Sequence, residues 1–91
     1  MPDAYRTLDF TRTFLTDLIG PDFTAKERGR FLRALRLLDE NDRHPSLRVH
    51  QLQGDQLGTW SVSASDELRM TFQRSEGGRK LVLTCSRHYA R

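Results

Sequence analysis

The sequence predicts an α+β fold in which an N-terminal helical hairpin packs on one face of a small, twisted antiparallel β-sheet. Two observations indicate this fold. Apolar residues recur with helical spacing up to about residue 40, and from residue 60 onward they alternate with polar residues at every second position. Ninety-one residues suffice for one small domain with a core of its own, so we assign residues 1–91 to a single domain.

The first helix is indicated by Phe10, Phe14 and Leu18, which lie four residues apart and form one apolar face. We expect a short extended segment over residues 4–7 to precede it. The Gly-Pro dipeptide at residues 20–21 ends the helix, because glycine readily caps a C-terminus and proline cannot continue the helical hydrogen bonds.

The second helix begins at Thr24, which has the spacing of a capping box with Glu27. The run Asn-Asp-Arg-His-Pro at residues 41–45 ends it. Because the linker between the helices is short, we expect an antiparallel pair with one shared apolar side. The apolar residues of the second helix are Phe31, Leu32, Ala34, Leu35, Leu37 and Leu38.

Four strands are predicted in the second half, the first of them over residues 48–53. Turn-forming residues separate the strands near positions 54–58, 66–67 and 75–78. The apolar residues that we expect to face the helices are Trp60, Val62 and Ala64, then Leu68, Met70 and Phe72, and finally Leu81, Leu83 and Cys85.

Alternation of side chains sorts the charged residues of these strands between the two faces of the sheet. With the apolar residues turned toward the helices, Arg69 and His88 lie together on the open face, and Arg87 points toward the core side. Arg48 or His50 of the first predicted strand would join the open face.

Composition restricts the class of protein. One cysteine allows no internal disulfide and no cysteine-based metal site, and the absence of a long apolar stretch or an apolar leader favours a soluble protein of the cytoplasm with no membrane partner. The net charge of +3 comes entirely from residues 44–91, and thirteen of the fifteen cationic side chains are arginine, which suits bidentate contact with phosphate.

An arginine, a histidine and a tyrosine follow one another at residues 87–89. Cleavage of RNA without a metal ion needs a base for the 2′-hydroxyl proton, an acid for the leaving 5′-oxygen, and a cation beside the phosphate. The pattern therefore indicates a ribonuclease that uses neither metal nor cofactor. The residues alone leave three alternatives open: a solvated tail at the end of the chain, a surface ion pair of Arg69 with Asp66 or Glu67, and a core position for Trp60.

A longer pattern carries a family resemblance. Gly58 precedes Trp60-Ser61, Arg69 follows nine positions after the tryptophan, and the last strand closes in Arg-His-Tyr, while residues 44–54 have the form of the segment before the sheet. In this order and spacing the chain resembles the RelE/ParE superfamily of bacterial toxins, and within it the YoeB-like mRNA interferases.

The resemblance implies a RelE-like fold and a small toxin, held inactive by a cognate antitoxin, that cuts mRNA in the ribosomal A site. Arg69 corresponds to the arginine that stabilises the phosphate, and His88 and Tyr89 correspond to the terminal catalytic pair, with His88 as the proton donor to the leaving group. A homodimer is compatible with the resemblance. The arginines that we assign to RNA binding are Arg48, Arg74 and Arg87.

The chain departs from the YoeB-like pattern at one position. Enzymes of that group place a glutamate general base just before the leucine that corresponds to Leu47, whereas this chain has His-Pro-Ser at residues 44–46. The general base is therefore unassigned by the resemblance; His50 is a candidate for the role, with His44 as a weaker one. The missing carboxylate also suits a weakly catalytic relative that serves as an antitoxin-binding module. A ParE-like inhibitor of DNA gyrase is a further alternative, against which the terminal His-Tyr pair argues.

Overall fold

A computed structural model describes residues 5–54 and 58–87, and these form two α-helices and five strands on a mixed sheet. The strands stand in the order β1-β5-β4-β3-β2. The elements are β1 (Leu8–Phe10), α1 (Arg12–Ile19), α2 (Ala25–Glu40), a 3-10 helix (Pro45–Leu47), β2 (His50–Gln51), β3 (Thr59–Ser63), β4 (Leu68–Arg74), a 3-10 turn (Glu76–Gly78) and β5 (Lys80–Arg87).

The predicted antiparallel sheet is confirmed for β2 to β5 and is wrong at one edge. There β1 runs parallel to β5, with Leu8 opposite Lys80 and Phe10 opposite Val82. The sequence pattern assigns Phe10 to the first helix, but the helix begins at Arg12. Helical spacing did not reveal the difference, because Phe10 still contacts the helix: its ring stacks on that of Phe14 with centroids 5.5 Å apart.

The capping box of α2 is confirmed in both directions. The Thr24 hydroxyl accepts from the Glu27 N–H at 3.1 Å, and the Glu27 carboxylate accepts from the Thr24 N–H at 2.9 Å. The helix ends at Glu40, as predicted, and Phe31 is among its fully buried residues. Leu32 is the exception in the apolar stripe, since 49% of it is exposed.

The predicted helical hairpin is not confirmed as such. A strand precedes the two helices, and both helices pack against the sheet: α1 lies against β5, and α2 lies against β4 and the 3-10 helix. The position of each helix is therefore set by its contacts with the sheet. Within the residues that the structure describes, neither helix is both long and apolar enough to cross a membrane.

The first predicted strand is much shorter than residues 48–53. Pro45 begins a 3-10 helix that places Leu47 in the core, where 1% of it is exposed. The backbone of Arg48 then adopts a left-handed conformation with φ 47° and ψ 46°, which interrupts any extended run. Among the described residues, the ladder with β3 is formed by His50–Gln51 and is extended by a hydrogen bond from the Leu52 N–H to the Thr59 carbonyl at 2.8 Å, so Arg48 lies in the connection and not in a strand.

The side chains of β5 do not alternate regularly between the two faces of the sheet, because the strand contains a bulge. Thr71 pairs with Thr84 and Phe72 pairs with Val82, so Leu83 is an extra residue without a partner on β4. Val82 and Cys85 are buried. The prediction is therefore correct for Cys85 and wrong for Leu81 and Leu83, which are partly exposed.

The core lies between the helices and the sheet. The predicted inward residues of β4 are all buried, and phenylalanines are the largest side chains of the core. The largest fully buried side chains are Phe14, Phe31, Phe72, Leu35, Leu38, Leu47, Leu68, Met70, Val62 and Val82.

Candidate functional site

The open face of the sheet carries two rows of polar side chains, because cross-strand partners share a face. In one row Arg69 of β4 stands between Ser63 of β3 and Ser86 of β5. In the next row His50, Ser61, Thr71 and Thr84 stand side by side on four strands. The hydroxyls of Thr71 and Thr84 are hydrogen-bonded at 2.6 Å. The prediction that Arg69 faces away from the core is confirmed.

Arg69 is held by neutral acceptors and not by a carboxylate. Its Nη1 donates to the carbonyl oxygens of Ser65 at 2.6 Å, Asp66 at 3.0 Å and Leu68 at 3.2 Å. Across residues 5–54 and 58–87, no acidic side chain lies within ion-pairing distance of it. The surface pair with Asp66 or Glu67 is therefore not formed, and the guanidinium keeps its positive charge available at the turn between β3 and β4.

His50 and His44 present different nitrogens. His50 Nδ1 lies 2.9 Å from the carbonyl oxygen of Arg48, which can only accept, so Nδ1 carries the proton and Nε2 has the free lone pair. In His44 the roles are reversed: Nδ1 accepts from the backbone N–H of Ser46 at 3.2 Å, which leaves the proton on Nε2. Of the two, His50 is the exposed residue, and its contact through Nδ1 leaves the Nε2 lone pair for accepting a proton.

His50 and Arg69 share the open face but are not brought together. They lie two strands and one row apart, which corresponds to roughly 12 Å between their Cα atoms. The Arg69 guanidinium also reaches toward the turn beyond Ser63, whereas His50 stands opposite Ser61. His88 and Tyr89 lie outside the described residues; Ser86, two positions before His88, is the last open-face residue of β5 and stands beside Arg69.

Arg87 lies on the helix side of the sheet, as alternation predicts. Its guanidinium forms a two-contact pair with Glu27, from Nε at 2.8 Å and from Nη2 at 2.6 Å, and covers the ring of Phe23 at 5.1 Å. This hydrogen-bonded arginine, helped by the Thr24 backbone N–H, lowers the pKa of Glu27 from 4.5 to about 2.

Arg74 also lies on the helix side, at the end of β4. Its Nη1 donates to the Asp42 carboxylate at 2.7 Å, and its guanidinium carbon lies 4.4 Å from the centre of the Trp60 ring. This hydrogen bond to Arg74 lowers the pKa of Asp42. Trp60 is partly buried and its ring stacks on Phe72, so it packs against the core and still forms a surface for Arg74.

Two clefts flank the 3-10 helix. One of about 390 Å³ lies between α2 and the β3–β4 turn, and is lined among others by Arg33, Ser46, Arg48 and Asp66. The other, of about 560 Å³, lies on the Trp60 side. Pro45 and Arg48 line both, so the left-handed residue stands where the two clefts meet. The lining of the larger cleft is Asp42, Arg43, His44, Pro45, Arg48, Val49, Trp60 and Arg74.

The predicted site residues that the structure describes thus fall into three places. Arg69 and His50 are on the open face, Arg48 is at the junction of the clefts, and Arg74 and Arg87 are on the helix side. Sequence reasoning missed Asp42 as the partner of Arg74. The available signal was that Arg74 has the same alternation as Phe72 and Trp60, which places it on their face. Among the described side chains, no three metal-ligating groups are clustered.

Comparison with known proteins supports the fold. The YoeB/ParE toxin from Agrobacterium tumefaciens superposes with a TM-score of 0.74 at 23% identity, covering 92% of this chain and all of that one. The YoeB dimer from Staphylococcus aureus gives 0.70 at 17% identity, covering 94% of this chain and 100% of that chain. The DinJ-YafQ complex from E. coli gives 0.72 at 14% identity, covering 91% and 93%.

No protein-family model and no curated protein matches the sequence. The likeness at these identities is therefore one of backbone architecture over nearly the whole chain. This chain has the fold of the YoeB and YafQ toxins, as its resemblance to the RelE/ParE superfamily predicted.

Proposed function

We propose that the chain, as a single domain, is the toxin of a bacterial toxin–antitoxin system and cleaves mRNA on the ribosome without a metal ion. The observation that carries the proposal is the position of Arg69, unpaired with any described carboxylate, on the open face of a toxin-type fold. The nine-residue spacing from Trp60 to Arg69 and the terminal His-Tyr pair add to it.

In the proposed reaction the RNA supplies its own nucleophile. The 2′-oxygen bonds to the neighbouring phosphorus while a base takes its proton, and the bond to the 5′-oxygen breaks as an acid protonates that oxygen. The products are a 2′,3′-cyclic phosphate and a 5′-hydroxyl. Arg69 would stabilise the charge on the phosphoryl oxygens, His88 would donate the proton, and Tyr89 would orient the phosphate.

The base is assigned to His50, whose Nε2 has the free lone pair. Since His50 stands two strands from Arg69, this role requires the scissile phosphate to lie between them, within reach of both side chains. The wide spacing, and the lack of a carboxylate at residues 44–46, favour slower cleavage than a glutamate base would give.

The proposed partners are an antitoxin and the ribosome-bound message, in the cytoplasm. Similar folds have been solved as the YoeB-YefM complex from Staphylococcus aureus and the DinJ-YafQ complex from E. coli, and one as a YoeB dimer. We propose an equivalent protein partner for this chain, and allow for a homodimer.

The test is induced expression in a bacterial host, followed by primer extension on several transcripts. The proposal predicts growth arrest with cuts inside translated codons. Filamentation and DNA damage without RNA cuts would instead indicate a gyrase inhibitor, and harmless expression would indicate an antitoxin-binding module; either result contradicts the proposal.

Arg69→Ala and His88→Ala should each lower cleavage by about 100-fold or more, as expected when a group that stabilises the transition state is removed. Arg79→Ala is the matched control, because Arg79 is an exposed arginine paired with Asp9 at 2.8 Å at the opposite end of the hairpin. Antitoxin binding should stay intact in all three variants. Full toxicity of both site variants would show that the site is assigned wrongly.

A further inference from the structure

Arg74 is held in one orientation from two directions. Asp42 binds its Nη1 at 2.7 Å, and the rings of Trp60 and Phe72 lie under its guanidinium carbon at 4.4 and 5.3 Å. The side chain nevertheless remains 43% exposed. A guanidinium that is stacked on an aromatic ring and fixed by a carboxylate has lost its freedom before any ligand arrives, and this lowers the entropic cost of binding on it.

The surroundings of Arg74 form a concave and cationic site. The cleft of about 560 Å³ is of the size that takes a nucleotide. Its charged lining comprises Arg43, Arg48 and Arg74 against the single carboxylate of Asp42, so the cleft keeps an excess of positive charge even though Arg74 is paired. Proteins bind single-stranded RNA with this combination of cations and a flat stacking surface.

We propose that the exposed face of the Arg74 guanidinium is a stacking platform for one nucleobase of single-stranded RNA, with Arg43 and Arg48 contacting the flanking phosphates. This inference rests on the proposed function, because it gives the RNA substrate a second contact point away from the open face. The platform is a binding subsite and takes no part in the chemistry. Trp60 and Phe72 are cross-strand neighbours whose rings lie side by side beneath the Arg74 guanidinium, and the base would lie on its opposite face.

Arg48 connects this platform with the open-face region. It lines both clefts, and the smaller one reaches Ser65 and Asp66, whose carbonyls hold Arg69. An RNA strand could therefore run from Arg69 past Arg48 into the Trp60 cleft. The left-handed backbone of Arg48 turns the chain at this point, which places its exposed side chain beside both clefts.

The chain offers a built-in probe, because Trp60 is its only tryptophan. A 2′-O-methylated penta-adenylate, which cannot be cleaved through a 2′-oxygen, is titrated into the purified protein while Trp60 emission and the anisotropy of a 5′ fluorophore are followed. We expect a saturable change in Trp60 emission that coincides with the anisotropy curve. An abasic oligonucleotide with the same phosphates should bind more weakly and leave the emission unchanged.

Arg74→Lys keeps the charge and removes the planar group, and should weaken binding of the penta-adenylate by about tenfold. Arg79→Lys is the matched control: Arg79 is 43% exposed as well and paired with Asp9, and it should change binding by less than about twofold.

Three results would overturn the inference: binding without a change in Trp60 emission, equal weakening by Arg74→Lys and Arg79→Lys, or no binding of the oligonucleotide. None of them bears on cleavage in cells, which the primer-extension experiment measures independently. RNA cleavage in cells together with an unchanged Trp60 emission would thus reject the stacking platform and leave the proposed nuclease activity in place.

Discussion

The position of each arginine within its strand decides on which face of the sheet its side chain lies. Arg69 and Arg87 lie on neighbouring strands, yet Arg69 faces the open side and Arg87 turns to Glu27 on α2. Alternation alone predicts both orientations from the sequence. It cannot predict the partners of the two arginines. Glu27 is 60 residues away from Arg87 along the chain. The carbonyl oxygens that hold Arg69 come together only when the turn between β3 and β4 has formed.

The pair of Arg87 with Glu27 gives a pH-dependent contribution to stability. Folding lowers the pKa of Glu27 from 4.5 to about 2, so the unfolded chain takes up this proton at a higher pH than the folded one. The stabilisation is complete above about pH 5, and it is lost as the pH falls toward 2. Glu27→Gln should therefore lower the urea midpoint at pH 7, and the deficit should shrink steadily between pH 5 and pH 3.

Glutamine is the suitable replacement, because it still provides the oxygen that a capping box needs. Glu40→Gln on the same helix is the control, since Glu40 is exposed and has no ion pair among the described residues. An equal deficit of Glu27→Gln at pH 7 and pH 3 would show that the charge pair does not contribute.

Elements with local signals are predicted well, and those that depend on distant partners are not. The helix α2 begins at Ala25, directly after its N-cap Thr24, because the capping box satisfies its first N–H groups, and this signal lies within four residues. The strand β1 consists of only three residues, and its partner β5 lies about 70 positions further along the chain. No local pattern distinguishes such a strand from a helix start, because Phe10 contacts Phe14 in either case.

Removal of the N-cap side chain tests how much the capping box contributes to the free energy of unfolding. Thr24→Ala deletes the hydroxyl that accepts from the Glu27 N–H at 3.1 Å, and should lower the free energy of unfolding by about 1 kcal/mol. Urea denaturation followed by circular dichroism measures it. Thr16→Ala, at an exposed position inside α1, is the control and should change the same quantity by no more than about 0.5 kcal/mol. Equal effects of the two substitutions would argue against a role for the cap.

Over the whole molecule, the distribution of charge governs the expected behaviour with RNA. The excess of positive charge belongs to residues 44–91, and the fold gathers part of it around the two clefts. The charged residues that line the clefts are Arg33, Arg43, Arg48 and Arg74 against Asp42 and Asp66. A strand of RNA would therefore meet a surface more cationic than the net charge of +3 suggests.

Binding of RNA should accordingly depend strongly on salt. If Arg43, Arg48 and Arg69 each neutralise one phosphate, the association constant falls roughly 20-fold between 50 and 200 mM monovalent salt, because bound counterions are released. Anisotropy titrations over this range measure the slope. Arg48→Gln should reduce the slope by about 0.7 and Arg79→Gln should leave it unchanged. A slope near zero would exclude a phosphate-based interface.

The sequence by itself determined the α+β class, both helices, the inward face of β4 and the outward direction of Arg69, because periodicity and caps act between neighbouring residues. Tertiary structure alone decided that β1 joins β5 in parallel, that Leu83 forms a bulge, and that Asp42 and Trp60 hold Arg74. These features arise from contacts between residues far apart in the chain, and such contacts exist only once the sheet has assembled.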